Sequence, residues 1–273
     1  MSNETYAPEA DTRLRDEAGQ IIARYPEPRS ALLPMLHLIQ SEDGYVSPRG
    51  IALCADLLGL TRPEVSAVAT FYSQYKRHPN GEYTVGVCTN ALCAVMGGDI
   101  IWDTVSEHLG IGHDETTADG RITLEQLECN AACDYAPVVM VNWEFFDNQT
   151  PTSAIDLVDQ ITAGAPVHPT RGADTVATFK EISHVLAGFE DGHANEGPGA
   201  GESTLRGLAI AREKGWRAPH EESDTRPATS GVDVAEVEAA GTAPVGEESS
   251  SAERKPVTDA DTDAKTVDHE EEK

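Results

Sequence analysis

Apolar positions at helical spacing dominate the first seventy or so residues, and the residues between them cut this stretch into four short amphipathic helices. Over residues 11–24, Leu14, Ala18, Ile21 and Ile22 recur among charged side chains until Pro26 and Pro28 end the pattern. A second helix takes Ser30 as its N-cap, presents Leu32, Leu33, Leu36, Leu38 and Ile39 as a broad apolar face, and closes over residues 41–44. Pro34 falls in its first turn, where a missing N–H does little harm. Ser47 followed by Pro48 opens a third helix over 50–58 that stops at Gly59. Thr61 with Glu64 three residues on forms a capping-box signature for a fourth, running through Val65, Val68 and Ala69.

From Tyr83 the period drops to two. Tyr83, Val85 and Val87 alternate with Thr84 and Gly86, which predicts a half-buried strand running into Cys88. A helix follows over 100–109, a strand or short helix over 122–127, and a continuous apolar strand over 138–141. That strand pairs through a turn with 143–146, and a helix over 152–161 completes the series. Strand, helix, strand, strand, helix is the order of a compact mixed domain over residues 81–163. Past Ala165 the composition turns to Pro, Gly, Thr, Ala and acid, with enough apolar residues at 179–189 and 205–216 for short helices around the glycine-rich GHANEGPGAGE. From Glu221 onward 16 acidic residues stand against 5 basic ones with almost no large apolar side chains. Such a segment cannot bury enough surface to offset its ordering entropy and is expected to be disordered.

The chain is therefore expected to be α+β: a disordered start over 1–10, a helical bundle over 11–80, a mixed domain over 81–165, an extension over 166–220 and an acidic tail over 221–273. A formal net charge of -27 disfavours nucleic acid and anionic lipid surfaces, because both need Lys and Arg to displace counterions. No basic segment leads into an apolar stretch near Met1, and no apolar run approaches the ~20 residues of a membrane span, so a cytoplasmic chain without membrane insertion is expected.

The chemistry is concentrated in the cysteines. Five in a chain without a secretory signal point to metal binding rather than disulfides, and four of them form two tight pairs, CTNALC and CNAAC, 35 residues apart. A [2Fe-2S] centre takes two thiolates on each iron, so two loops giving one pair each, Cys88 with Cys93 and Cys129 with Cys133, suit it. Structural zinc accepts the same spacings and stays open as an alternative on spacing alone. The small residues Thr89, Asn90, Ala91, Asn130, Ala131 and Ala132 leave room for backbone N–H groups near the sulfurs, and Gly97 and Gly98 do the same at a helix N-terminus. Neither loop holds a Lys or Arg, so backbone dipoles are expected to set the potential. Cys54, on an apolar helix, reads as a buried structural thiol, and His37, His78, His108 and His113 as surface or packing residues.

The stretches LLPMLHLIQSEDGYVSPRGI, EVSAVATFYSQY, VCTNALCAVMGG and ITLEQLECNAACDYAPVVMVN, in this order, resemble the E-subunit family of bacterial NADH:quinone oxidoreductase, respiratory complex I, over roughly residues 10–165. The resemblance implies a helical bundle followed by a thioredoxin-like domain, with one [2Fe-2S] cluster on Cys88, Cys93, Cys129 and Cys133. It also implies exchange of electrons with the FMN of a partner subunit that oxidises NADH, within the peripheral arm on the cytoplasmic side of the membrane. The chain itself shows no strand followed by G-x-G-x-x-G, so FMN and NADH are expected on the partner and no complete active site on this chain alone. C-x4-C in place of C-x-x-C argues against dithiol exchange. The same subunit type occurs in NAD-linked formate dehydrogenases and hydrogenases, which stand as the alternative assembly; a zinc-stabilised interaction module is the rival of another class. In the extension, Phe179, Leu186, Phe189, Leu208 and Trp216 are candidate anchors on a neighbouring subunit, with a solvated linker that makes no contacts as the alternative.

Overall fold

A computed structural model describes residues 5–193 and 196–217; the expected acidic tail over 221–273 lies outside the described residues. Four helices come first: α1 (Pro8–Ile22), α2 (Leu32–Asp43), α3 (Pro48–Leu58) and α4 (Arg62–Phe71). Their ends follow the capping chemistry. Ser47 Oγ accepts the Gly50 N–H at 3.0 Å, Thr61 and Glu64 form the reciprocal capping box, and Gly44 and Gly59 close α2 and α3 in the left-handed conformation. Two expectations need correction. Pro8 takes the first turn of α1, so residues 8–10 are helical rather than disordered, and Ser30 sits inside a 3-10 turn, Pro28–Ala31, that leads into α2 without a side-chain cap. Proline at 28 fixes the backbone for that turn one step before the helix proper.

Leu14, Ile21, Met35, Leu36, Leu38, Ile39, Cys54 and Val65 close the core of this bundle. Asp43, with a side chain only 2% exposed, ties it at one edge: Tyr6 Oη donates to it at 2.7 Å, and Ser47 and Arg49 reach the same carboxylate. A buried carboxylate persists only with such donors around it.

The second core lies on a five-stranded sheet in the order β2-β3-β1-β4-β5, from β1 (Tyr83–Cys88), β2 (Glu115–Thr116), β3 (Ile122–Leu127), β4 (Val139–Val141) and β5 (Glu144–Phe146). Segment 122–127 is thus a strand. It pairs parallel to β1, with Tyr83 opposite Ile122 and Cys88 opposite Leu127, while β4 runs antiparallel to β1. A parallel pair needs a crossover, supplied by the short helix α5 (Ala91–Val95) and by α6 (Gly98–Leu109). α7 (Pro151–Thr162) packs beside α6, and Val85, Val87, Ile101, Val105, Leu124, Val141 and Val158 fill the space against the sheet.

α8 (Phe179–Leu186) belongs to the first core, although it follows the sheet in sequence. It packs along α2, and Ala187 is buried among the bundle side chains. Lys180 Nζ donates to the Glu42 carbonyl at 2.8 Å and Arg24 to the Gly188 carbonyl at 2.9 Å. Phe179 is 1% exposed and stacks on Trp143 at 5.9 Å between ring centroids. Two of the candidate partner anchors, Phe179 and Phe189, are therefore used inside the chain, while Leu186, Leu208 and Trp216 are exposed. α9 (Glu202–Glu213) follows on the surface.

Candidate metal centre

The sheet explains why sulfurs 35 residues apart in sequence meet. Because β1 and β3 are parallel, both leave the sheet at the same edge; Cys88 ends β1, and Cys129 comes two residues after the end of β3. β4 enters from that edge, so the 3-10 turn Cys133–Tyr135 that precedes it lies there too. Hydrogen bonds extend the ladder beyond the strands: Cys88 N–H donates to the Val138 carbonyl at 3.1 Å and Thr89 N–H to the Leu127 carbonyl at 3.2 Å. The Asn90 amide donates to Glu128 at 2.7 Å and fastens one cysteine loop to the other.

All four cysteines singled out by spacing converge at this edge, and Cys54 is left alone in the helical core. The pairs differ in setting. Cys88 and Cys93 are 2% and 3% exposed, whereas Cys129 and Cys133 lie at the surface, 3.6 Å apart between sulfurs. Burial and the neighbouring Cys88 push the Cys93 thiol up to about 11, against the pull of a Val138 backbone N–H. Cys133 is raised first by its hydrogen bond with Cys129 and then by that thiol's charge, with Cys88 adding to both shifts by proximity. Four sulfurs this close repel one another as thiolates, and a cationic centre is the natural compensation.

Among the described residues no group of three or more His, Cys, Asp and Glu side chains is placed to hold one metal ion. The sulfurs stand instead as two pairs, one buried and one exposed, and two per iron is the ligand set of a [2Fe-2S] cluster. That donor set, four thiolates in two pairs, fits a [2Fe-2S] cluster.

Backbone donors face the sulfurs. Ala131 N–H points to Cys129 Sγ at 3.3 Å, and it does so from a φ of +55°, a left-handed conformation that costs alanine roughly 1–2 kcal/mol. The small-residue reading of the CNAAC loop anticipates that contact, but the Val138 N–H facing Cys93 carries no signal in the sequence, because only the β4 register brings it there. Gly98 is tightly required: a Cβ at this position would stand 2.5 Å from the Cys88 carbonyl and 2.9 Å from that of Cys93. Cys93 itself sits on α5, a helical turn absent from the sequence reading, so the first pair bridges a strand end and a helix rather than one loop. The histidines stay apart from the sulfurs: His78 pairs with Asp114 at 2.9 Å, His108 with Asp159 at 2.7 Å, and His113 accepts the Gln126 N–H at 3.0 Å.

A family model described as thioredoxin-like [2Fe-2S] ferredoxin matches residues 18–162. The chain belongs to the thioredoxin-like [2Fe-2S] ferredoxin family. Within it, the E subunit of the NADH-quinone oxidoreductase of Mycobacterium tuberculosis is 60% identical over 216 residues, covering 79% of this chain and 85% of the relative. NADH-quinone oxidoreductase subunit 2 of Thermus thermophilus is 39% identical over 132 residues, covering 48% of this chain and 73% of the relative. A solved chain of an NAD+-reducing [NiFe]-hydrogenase superposes with a TM-score of 0.45 at 21% identity, over 50% of this chain and 23% of its own. The likeness to the mycobacterial relative runs well past the matched ferredoxin region, so the chain is an iron-sulfur, electron-transfer subunit of a multi-subunit oxidoreductase of the NADH-quinone type.

Proposed function

We propose that Cys88, Cys93, Cys129 and Cys133 hold one [2Fe-2S] cluster, and that the chain exchanges single electrons with the FMN of an NADH-oxidising partner subunit. When bound, such a cluster accepts and releases one electron at a time. The observation that carries this reading is the meeting of two cysteine pairs at one sheet edge, with backbone N–H groups aimed at Cys93 and Cys129. The chain's own part is to hold two thiolates per iron, to set donors against their charge, and to bury one pair while presenting the other. No side chain is assigned as acid or base, since electron transfer needs none.

Partner docking beside the cluster is supported by exposed apolar side chains around Cys93. Leu92, Val95, Met96 and Ile100 are 45%, 83%, 57% and 62% exposed on α5 and the start of α6, a grouping that a soluble surface ordinarily covers. Among the described residues no helix is long and apolar enough to cross a membrane. The place proposed for the chain is a peripheral arm on the cytoplasmic side of the membrane. The 60% identity to the mycobacterial relative favours the quinone-reducing complex over a formate dehydrogenase or hydrogenase assembly.

Aerobically purified full-length protein is expected to be red-brown, to bleach with dithionite, and to contain two irons and two acid-labile sulfides per chain. Colourless protein carrying stoichiometric zinc would replace this reading with the interaction module.

A further inference from the structure

The loop that carries the exposed cysteines does not stand on the sheet edge alone. Tyr135, two residues past Cys133, is gripped by a part of the chain that lies beyond the matched ferredoxin region. Ser203 N–H donates to Tyr135 Oη at 3.1 Å, and the neighbouring Thr204 hydroxyl donates to the Asp134 carboxylate. Gly201 lies flat against the same phenol, where a Cβ would fall 2.2 Å from its oxygen. From the other side Arg171 places its guanidinium 5.6 Å from the Tyr135 ring centroid and 3.9 Å from that of Phe145. Arg171 is itself held by Asp147 at 2.9 Å, in a pair 14% and 7% exposed, and it donates to the Gly199 carbonyl at 2.7 Å. Gly197 completes the attachment by backing onto the Gly172 carbonyl, which a Cβ would approach to 2.3 Å.

These contacts have a common geometry. The N-terminal turn of α9 meets the 3-10 turn Cys133–Tyr135, and Arg171 is the post to which both the loop and the glycine-rich segment are tied. α9 buries none of its residues, so apolar packing does not explain why it sits there. What it gains is polar contact with residues 134 and 135.

We propose that the segment 197–204 is a clamp on the cluster loop, with Tyr135, Thr204 and Arg171 as positioning residues that hold Cys133 in its ligating place. The proposal rests on the four-cysteine cluster and adds to it a device supplied by the C-terminal extension. Cys129 and Cys133 are the exposed pair, so cluster loss begins there whenever this loop opens. Each hydrogen bond of the clamp makes opening rarer, and a net ~1 kcal/mol per neutral bond corresponds to roughly fivefold.

The test uses the full chain. Tyr135→Phe keeps the ring under Arg171 but removes the acceptor of the Ser203 N–H; Thr204→Val removes the donor to Asp134, and Thr204→Ser keeps it. Loss of visible absorbance to an iron chelator should run roughly fivefold faster in Tyr135→Phe, at least as much faster in Thr204→Val, whose lost bond is to a carboxylate, and stay at the wild-type rate in Thr204→Ser. The electron paramagnetic resonance signal of the reduced cluster should broaden in the two fast variants, as Cys133 samples more orientations. Wild-type rates and line shapes in both, or a Thr204→Ser protein as fast as Thr204→Val, overturn the clamp. Amide exchange at Ser203 in cluster-free protein reads the same contact without the metal. Protection that Tyr135→Phe abolishes supports the clamp, and exchange at the unstructured-peptide rate in the wild type sinks it. A colourless wild type that keeps this protection would count against the cluster and leave the clamp standing.

Discussion

Cys54 and Cys129 show how setting separates residues of one type. Cys54 is fully enclosed in the helical core, and burial pushes its thiol up to about 12, so it stays a neutral packing group. Cys129 is exposed, faces a backbone N–H and has a second sulfur beside it. Cys129→Ser should strip iron and visible absorbance from the purified protein, while Cys54→Ser should leave both intact; equal loss from the two would mean that the wrong sulfurs are assigned. Gly98→Val makes a related point without touching a sulfur, since its side chain must displace the Cys88 carbonyl that now lies 2.5 Å from the Cβ position. Iron per chain should fall clearly in that variant as well. His37 illustrates burial acting on a base: its ring lies beside Tyr75, its Nδ1 finds no partner, and desolvation lowers it to about 4. A base lowered on folding takes up protons more readily in the unfolded chain, so stability is fully present above its ordinary pKa of about 6.5 and declines as pH falls towards about 4. Chemical denaturation across that window should show up to roughly 3 kcal/mol of loss, much reduced in His37→Phe.

At the scale of elements, the β4–β5 turn and the entry to α8 decide how the two cores are joined. Asn142 and Trp143 both take positive φ, +46° and +70°, which suits the tight turn of a twisted hairpin without the usual glycine. The Asn142 side chain is buried and saturated: it accepts the Thr84 N–H at 2.8 Å and donates to the Ala177 carbonyl at 2.8 Å and that of Glu82 at 3.3 Å. Trp143 offers its ring to Phe179, and a buried ion pair of Lys76 with Glu125 adds a second link between helices and sheet. Phe179→Ala should therefore cost about 3–5 kcal/mol in denaturant unfolding, the range of a fully buried aromatic, and should act on both cores together. A loss below about 1 kcal/mol would show that α8 is not needed by the fold. The pattern of residues 179–189 marks a helix correctly, but its docking on α2, far earlier in sequence, has no trace in local periodicity.

At the scale of the whole molecule, charge and length set different limits. A net charge of -27 works against association with nucleic acid, yet the tail from Glu221 carries 16 of the 47 acidic residues and none of the paired cysteines. Truncation after residue 221 should leave iron content, absorbance and unfolding midpoint unchanged. Truncation after residue 196 removes the clamp as well and should speed cluster loss. The contrast sets the extension, which carries the proposed clamp, apart from the acidic tail.

The order of residues alone specified the four helices, the Ser47 and Thr61 caps, the strand into Cys88, and the two cysteine pairs set apart from the solitary fifth, because periodicity, capping boxes and cysteine pairs are local features. It also carried the family likeness, through motifs held in a fixed sequence order. Tertiary structure decided the rest: the parallel register that brings Cys88 beside the chain leading to Cys129, the Val138 amide at Cys93, the return of α8 to the first core, and the hold of Ser203 and Thr204 on the cluster loop. Each of these joins residues far apart in the chain. Such contacts arise only when one whole surface is fitted against another, and no short window of sequence contains both sides.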